Sequence, residues 1–253
     1  MAGARGPAIS AHRGGGEFAP EGTYEAYGAA LAAGADYVEF DVRRTVDGTL
    51  VDYHEAGFGG ERGVSRLTLD TLRSLAGYEV PEVAELLRLI AGRAGAHIDL
   101  KDASCAGEAV ELVLGLLSPA DIIVTTRDPQ PARAIASSYP QVPVGLTIGG
   151  DLGESARFVL RRARTLRLSR LADVAAVGAD FAVIHRRLAT SRLLAECRRG
   201  GIGTLVWTVN RGLRRWLGRT DLDILVTDRP ARAIAYASAG QPNCPSHCRR
   251  PEI

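Results

Sequence analysis

The sequence predicts an α/β fold, a single (β/α)8 TIM barrel, and three observations carry that expectation. Strand-length apolar runs alternate with segments of helical spacing across nearly all of the 253 residues, which implies a parallel sheet with right-handed crossovers. The length suits eight or nine such units closing into a barrel. No composition shift, linker or solenoid-period repeat divides the chain. An open doubly wound sheet is the alternative that alternation alone leaves open.

Strands are expected at 7–11, 37–42, 50–54, 97–100, 122–126, 143–148, 181–185, 203–208 and 223–227. That is one more than a closed eight-stranded barrel needs. Helices are expected at 23–33, 68–76, 82–93, 107–117, 130–138, 154–176, 190–199, 211–218 and 230–238. Thr23 and Thr68 read as N-caps, Gly34 as a stop and Pro230 as an opening-turn proline. The barrel should occupy 1–240, with 241–253 a short flexible tail.

Composition removes several classes of function. With 46% hydrophobic and 24% charged residues, the chain buries a core without disulfides or a structural metal. Its apolar runs are far too short to span a bilayer. The N-terminus lacks a signal-like apolar region, so a cytoplasmic location is expected. A net charge of +2 with scattered basic residues argues against a nucleic-acid surface. The tail stretch Cys244-Pro-Ser-His-Cys248 offers at most three metal ligands in a Pro-rich segment. The basic segment 157–170 reads as a solvated outer helix rather than a membrane contact.

In a barrel, chemistry belongs at the C-terminal ends of the strands. Of the 31 basic residues all but Lys101 are arginine, which marks Lys101 for a role that needs a compact ammonium. The first strand runs into His12-Arg13 and three glycines, a turn suited to an anionic, oxygen-rich ligand. In Val38-Glu39-Phe40-Asp41-Val42 the side chains alternate, so Glu39 and Asp41 share the face turned into the barrel. Two such carboxylates repel unless a cation sits between them, and hard oxygen ligands point to Mg2+ or Ca2+. A salt bridge to Arg43 or Arg44 is the structural alternative. Asp52 and His54 share a face in the next segment, and His97, Asp99 and Lys101 share one in His97-Ile98-Asp99-Leu100-Lys101. Asp99 then supplies a third metal ligand, with Lys101 beside it to neutralise phosphate. His185 ends the FAVIH strand and is read as packing or hydrogen bonding in the lumen.

The stretch AHRGGGEFAPEGTYEAYGAALAAGADYVEFDVRRTVDGTLVDYHE resembles the opening of glycerophosphodiester phosphodiesterases, and SRLTLDTLRSL, IDLK, LVWTVN and ILVTDRP follow in that family's order. The resemblance spans residues 8–234. It implies a metal-dependent phosphodiesterase acting on a small phosphodiester, with His12 and His54 as the general acid/base pair and Glu39, Asp41 and Asp99 as metal ligands. Arg13 and Lys101 would contact phosphate, while Trp207 and Asn210 would line the substrate end. In that family a neighbouring substrate hydroxyl attacks first, giving a cyclic phosphate that water opens.

Three departures accompany the match. Gly22 stands where the family has Asn, Glu55 follows His54 in place of Asp, and Asp99 replaces Glu. They keep open a lyase or phospholipase D-like reaction that stops at the cyclic phosphate. They also leave room for a decayed barrel that serves as a binding or biosynthetic partner, and an unrelated metal-dependent aldolase or epimerase barrel is a third alternative.

Overall fold

The computed structural model describes residues 6–58, 62–148 and 171–239. In chain order the strands are β1 (Ala8–Ala11), β2 (Tyr37–Arg44), β3 (Leu50–Asp52), β4 (Gly57–Phe58), β5 (Arg62–Gly63) and β6 (Gly95–Leu100). They continue with β7 (Ile122–Thr126), β8 (Val144–Ile148), β9 (Phe181–His185), β10 (Gly203–Trp207) and β11 (Ile224–Thr227). Strands β2, β6, β7, β8, β9, β10, β11 and β1 pair in parallel in that order, and the β1–β2 pairing closes the barrel. The closed ring rules out an open sheet.

The surplus strand has a simple origin. β3 runs antiparallel to β2, with Val42 opposite Asp52, so it extends a hairpin at the rim instead of entering the ring. It ends at Asp52, two residues short of the expected 54. β4 and β5 form a small separate ribbon that alternation did not signal.

The helices are α1 (Tyr24–Ala33), α2 (Leu69–Ala76), α3 (Val83–Ile90), α4 (Ala106–Leu114) and α5 (Pro129–Ser138). Residues 171–177 are helical and count as α6, followed by α7 (Ser191–Arg199), α8 (Leu213–Leu217) and α9 (Pro230–Ala239). Thr23 caps α1 by accepting from the Ala26 amide at 3.3 Å, and Gly34 ends it in the left-handed region at φ 86°. Thr68 caps α2 in the same way. The basic segment 157–170 and the tail from 241, with Cys244, His247 and Cys248, lie outside the described residues. Among the described residues no helix is long and apolar enough to cross a membrane.

Strand alternation divides the apolar residues into two cores. Val38, Phe40 and Val42 point outward into the layer between strands and helices. Inside the ring, Tyr37, Ile123, Val183, Leu205, Ile224 and Val226 plug the lumen. Small residues make room for the large ones: a Cβ on Gly95 would lie 2.5 Å from the Tyr37 ring, and one on Gly203 would lie 2.6 Å from Phe181. Each large side chain buried on the outer face contributes roughly 1.5–3 kcal/mol. The outer row of β2 therefore fixes its inner row, and Glu39 and Asp41 stand where a solvated strand would never hold them.

Candidate active site

Parallel pairing of β2 with β6 sets Asp41 opposite Asp99 and Glu39 opposite His97. One carboxylate oxygen from each of Glu39, Asp41 and Asp99 lies within 4.8 Å of the others. Around them, Lys101 Nζ sits 3.0 Å from Asp41 Oδ1 and also donates to Asp99 Oδ2. Thr125 donates to Asp99 Oδ1 at 2.9 Å, and the Arg13 amide donates to Glu39 Oε2 at 2.9 Å. Arg43 and Arg44 turn elsewhere: Arg43 donates to the carbonyls of Tyr53 and His54, and Arg44 pairs with Glu108. The cations beside the cluster are thus Lys101 and Arg13, not the pair that follows it on β2.

These cations do not fully satisfy the cluster. Burial, reinforced by the charge of Asp41, pushes Glu39 up to about 8. Arg13 Nε faces Asp41 Oδ2 at 3.2 Å but out of hydrogen-bond alignment, so both buried atoms lack a hydrogen-bond partner. An all-oxygen donor set, three carboxylates in mutual reach and one unsatisfied buried oxygen fit a hard divalent cation.

Below this layer His97 bridges Ser10, at 3.0 Å, and Thr125, at 3.2 Å. Burial holds its pKa down at about 4, so the ring is neutral and, through Thr125, links the lumen floor to the carboxylate cluster.

His12 stands at the end of β1, in a turn whose backbone demands explain its glycines. Arg13 is the only non-glycine with positive φ among the described residues, at 48°. A Cβ on Gly14 would meet the α1 backbone at 2.7 Å. A non-glycine residue held in this region costs of order 1–3 kcal/mol. The His12 ring contacts Asp228 through Nδ1–Oδ1 at 2.6 Å. Asp228 is itself clamped: the Asn210 amide donates to its Oδ2, and the Asp228 backbone N–H donates to Asn210 Oδ1 at 3.0 Å. Burial lowers the His12 pKa, yet Glu39 and Asp228 together outweigh it and the ring titrates above its ordinary value. Burial works against Asp228 as well, but its bond with His12 keeps it below the usual carboxylate range.

His54 lies beyond the end of β3, about a third exposed, with Nδ1 2.9 Å from Glu55 Oε1. The two imidazoles are thus each held at Nδ1 by a carboxylate, which leaves each Nε2 for a ligand. Asp52 does not join His54 at the mouth. It is buried behind β2, accepting from the Tyr27 hydroxyl and, at 2.9 Å, from the Asp41 amide. Burial and the nearby Asp41 raise its pKa to about 7. Gly22, at φ 72°, sits against this pair, and a Cβ there would lie 3.6 Å from Asp52 Oδ2.

Across the mouth, Trp207 ends β10. The His185 ring meets it edge-on at 5.1 Å, and the Arg127 guanidinium lies 5.7 Å from its ring centroid. Asn210, expected at the substrate end beside Trp207, spends both ends of its amide on Asp228 and Thr227.

Among the residues of this constellation that the sequence did not single out are Asp228, Tyr27 and Arg127. Asp228 was within reach, because ILVTD places it two residues after the lumen-facing Val226. Tyr27 gave no signal, since a helical tyrosine reads as core until its hydroxyl partner is known.

The family model for the glycerophosphoryl diester phosphodiesterase family matches residues 12–232. A glycerophosphodiester phosphodiesterase of Caldanaerobacter subterraneus is 25% identical over 255 residues, covering 92% of this chain and 98% of its own. Among solved structures, the glycerophosphodiester phosphodiesterase of Thermotoga maritima superposes with a TM-score of 0.69 at 22% identity, covering 90% of this chain and 97% of that one. An Oleispira antarctica phosphodiesterase, solved with the product sn-glycerol-3-phosphate, superposes with a TM-score of 0.72 at 18% identity, over 92% of this chain and 97% of that one. With a match that spans most of its length and a closed barrel carrying the acidic cluster at its mouth, the chain belongs to the glycerophosphoryl diester phosphodiesterase family.

Proposed function

We infer that this protein is a metal-dependent phosphodiesterase that hydrolyses glycerophosphodiesters to an alcohol and glycerol phosphate. The observation that carries this reading is one arrangement at the barrel mouth. Two imidazoles are braced at Nδ1 by Asp228 and Glu55, beside a cluster of Glu39, Asp41 and Asp99 that retains an unsatisfied buried oxygen.

Cleaving a phosphodiester requires neutralising the phosphoryl oxygens, activating a nucleophile and protonating the leaving alkoxide. Glu39, Asp41 and Asp99 would hold Mg2+ or Ca2+, which when bound supplies Lewis-acid polarisation of the phosphoryl group. Arg13 and Lys101 add fixed positive charge beside that group. His12 and His54 divide the two proton transfers through their Nε2 atoms, one accepting from the attacking hydroxyl and the other donating to the departing oxygen. The substrate glycerol's adjacent hydroxyl attacks first, and water then opens the cyclic phosphate.

The test is release of glycerol phosphate from glycerophosphocholine with Mg2+ or Ca2+. EDTA is expected to abolish turnover reversibly, and His12→Ala and His54→Ala are each expected to lower kcat by at least about 10²-fold without lowering the melting temperature appreciably. Full activity in EDTA would refute the metal assignment. A cyclic phosphate that persists by phosphorus NMR would make the enzyme a lyase.

A further inference from the structure

Asp41 stands at a break in the pairing of its own strand. β1 pairs with β2 as far as Val38, and β3 takes up the pairing at Val42, so Asp41 falls between the two. In a regular antiparallel ladder, opposed residues of a hydrogen-bonded pair exchange both backbone bonds. Here Tyr53 lies opposite, and its N–H donates to the Asp41 carbonyl at 2.9 Å. A side chain makes the return bond. The Asp41 N–H donates to Asp52 Oδ1 at 2.9 Å, while the Tyr53 carbonyl accepts from Arg43 Nε at 3.1 Å.

Asp52 is itself fixed from two sides. Its backbone N–H donates to the Pro81 carbonyl at 2.9 Å, and the Tyr27 hydroxyl donates to its Oδ2. Three residues earlier on the same face of α1, the Tyr24 hydroxyl accepts from the Glu82 amide at 3.1 Å. Two tyrosine hydroxyls of α1 thus hold β3 and the residue before α3. Tyr27, Asp52 and Asp41 are all buried, so each bond between them is costly to leave unmade. The chain Tyr27–Asp52–Asp41 ends on the backbone of a carboxylate in the acidic cluster.

Resting on the metal assignment within the hydrolase reading, we propose that Asp52, held by Tyr27, is a positioning residue. Its Oδ1 fixes the Asp41 backbone, which aims the Asp41 carboxylate at the place shared with Glu39 and Asp99 and preorganises the cluster for a divalent ion. Asp52 acts from behind β2, through Asp41.

The test is calorimetric titration of Mg2+ and of Ca2+ into the full chain stripped with EDTA, with the metal dependence of kcat measured alongside. Asp52→Leu keeps the shape and removes the acceptor, and Kd for the ion is expected to rise at least about tenfold. Because the bound ion restores the arrangement, kcat at saturating metal is expected to stay within about threefold of wild type. Asp52→Asn retains an acceptor for the Asp41 amide, and its NH2 can donate to the Tyr27 hydroxyl, so Kd should stay within about threefold. Tyr27→Phe removes only the hydroxyl and should raise Kd by about three- to fivefold, a check that holds even where Asp52→Leu fails to fold. A Kd unmoved by Asp52→Leu or by Tyr27→Phe, or raised as far by Asp52→Asn as by Asp52→Leu, overturns the proposal. So does a kcat that stays low at saturating metal. If neither ion binds the wild-type chain, the metal assignment falls and this proposal with it.

Discussion

On the proposed mechanism Asp228 is the point at which scaffold and proton transfer meet, and Asp228→Asn isolates its contribution. The wild-type carboxylate receives two donors at once, His12 Nδ1–H on one oxygen and the Asn210 amide on the other. An asparagine offers one acceptor oxygen and one NH2, so it can satisfy only one of them. Either the Asn210 clamp is lost or an amide N–H faces His12 Nδ1, which forces the ring into the tautomer with its proton on Nε2. That tautomer cannot accept a proton from a substrate. The lost charge-assisted bond is worth about 1.5–3 kcal/mol, and a disabled acid/base group lowers kcat by about 10²- to 10⁴-fold, or about 3–5 kcal/mol. The larger range applies where the amide N–H faces His12, because the tautomer is then changed as well as the bond.

The pH profile separates this from a general weakening. Asp228 is among the groups that raise the His12 pKa, so removing its charge should move the limb that reports His12 to lower pH. The Asp228 side chain is 24% exposed, and the melting temperature should fall by no more than a few degrees. Steady-state kinetics from pH 5 to 9 provide the assay. A variant within threefold of wild-type kcat and with an unmoved limb would show that Asp228 does not set the state of His12.

Two further expectations concern the scaffold. The folded-state pKa of His97 lies below its ordinary 6.5, at about 4. The unfolded chain therefore takes up this proton first. The stability due to the neutral ring is complete above pH 6.5 and is lost as pH falls toward 4, roughly 3 kcal/mol in all. His97→Gln should flatten this part of the stability profile in urea unfolding at pH 7 and pH 4.5, and equal acid losses in variant and wild type would discount burial as the cause. Gly22 adopts φ 72°, where alanine is strained by about 1 kcal/mol and asparagine is tolerated. Gly22→Asn should thus be the more stable of the two substitutions; thermal melts ranking Ala equal to Asn would discount the left-handed turn as the reason for Gly22.

What could be read from the sequence was set by period-two alternation. Val38, Phe40 and Val42 against Glu39 and Asp41 specify which face is which, and the same rule carries Asp99 and Lys101 from β6 to meet them. Alternation gave no information about chain direction in the third segment. LVD reads the same in a parallel strand of the ring as in the antiparallel rim hairpin it forms, so alternation puts Asp52 on one face with His54, whereas Asp52 sits behind β2. Contacts between distant turns were equally illegible. Asp228 lies 216 residues from His12, and their pairing follows from barrel closure, which brings the last strand beside the first. The β4–β5 ribbon is two residues per strand, too short to show any period.

Closure also accounts for the division of labour around the mouth. β1 lies between β11 and β2, so the strand bearing His12 is flanked by its own bracing carboxylate on one side and by the acidic cluster on the other. The cations in this half are already committed. Lys101 touches Asp41 and Asp99, Arg13 faces Asp41, and Glu39 is left with a backbone amide as its nearest donor. That is why burial drives Glu39 toward holding a proton, and why the cluster calls for a further positive charge. A compact ammonium at position 101 can bridge two carboxylates from one edge while leaving the opposite edge open. A planar guanidinium there would spread its donors across the face where the proposed metal ion would sit. In a chain that otherwise writes its basic residues as arginine, the single lysine stands at the place where the shape of the cation decides whether the site can be filled.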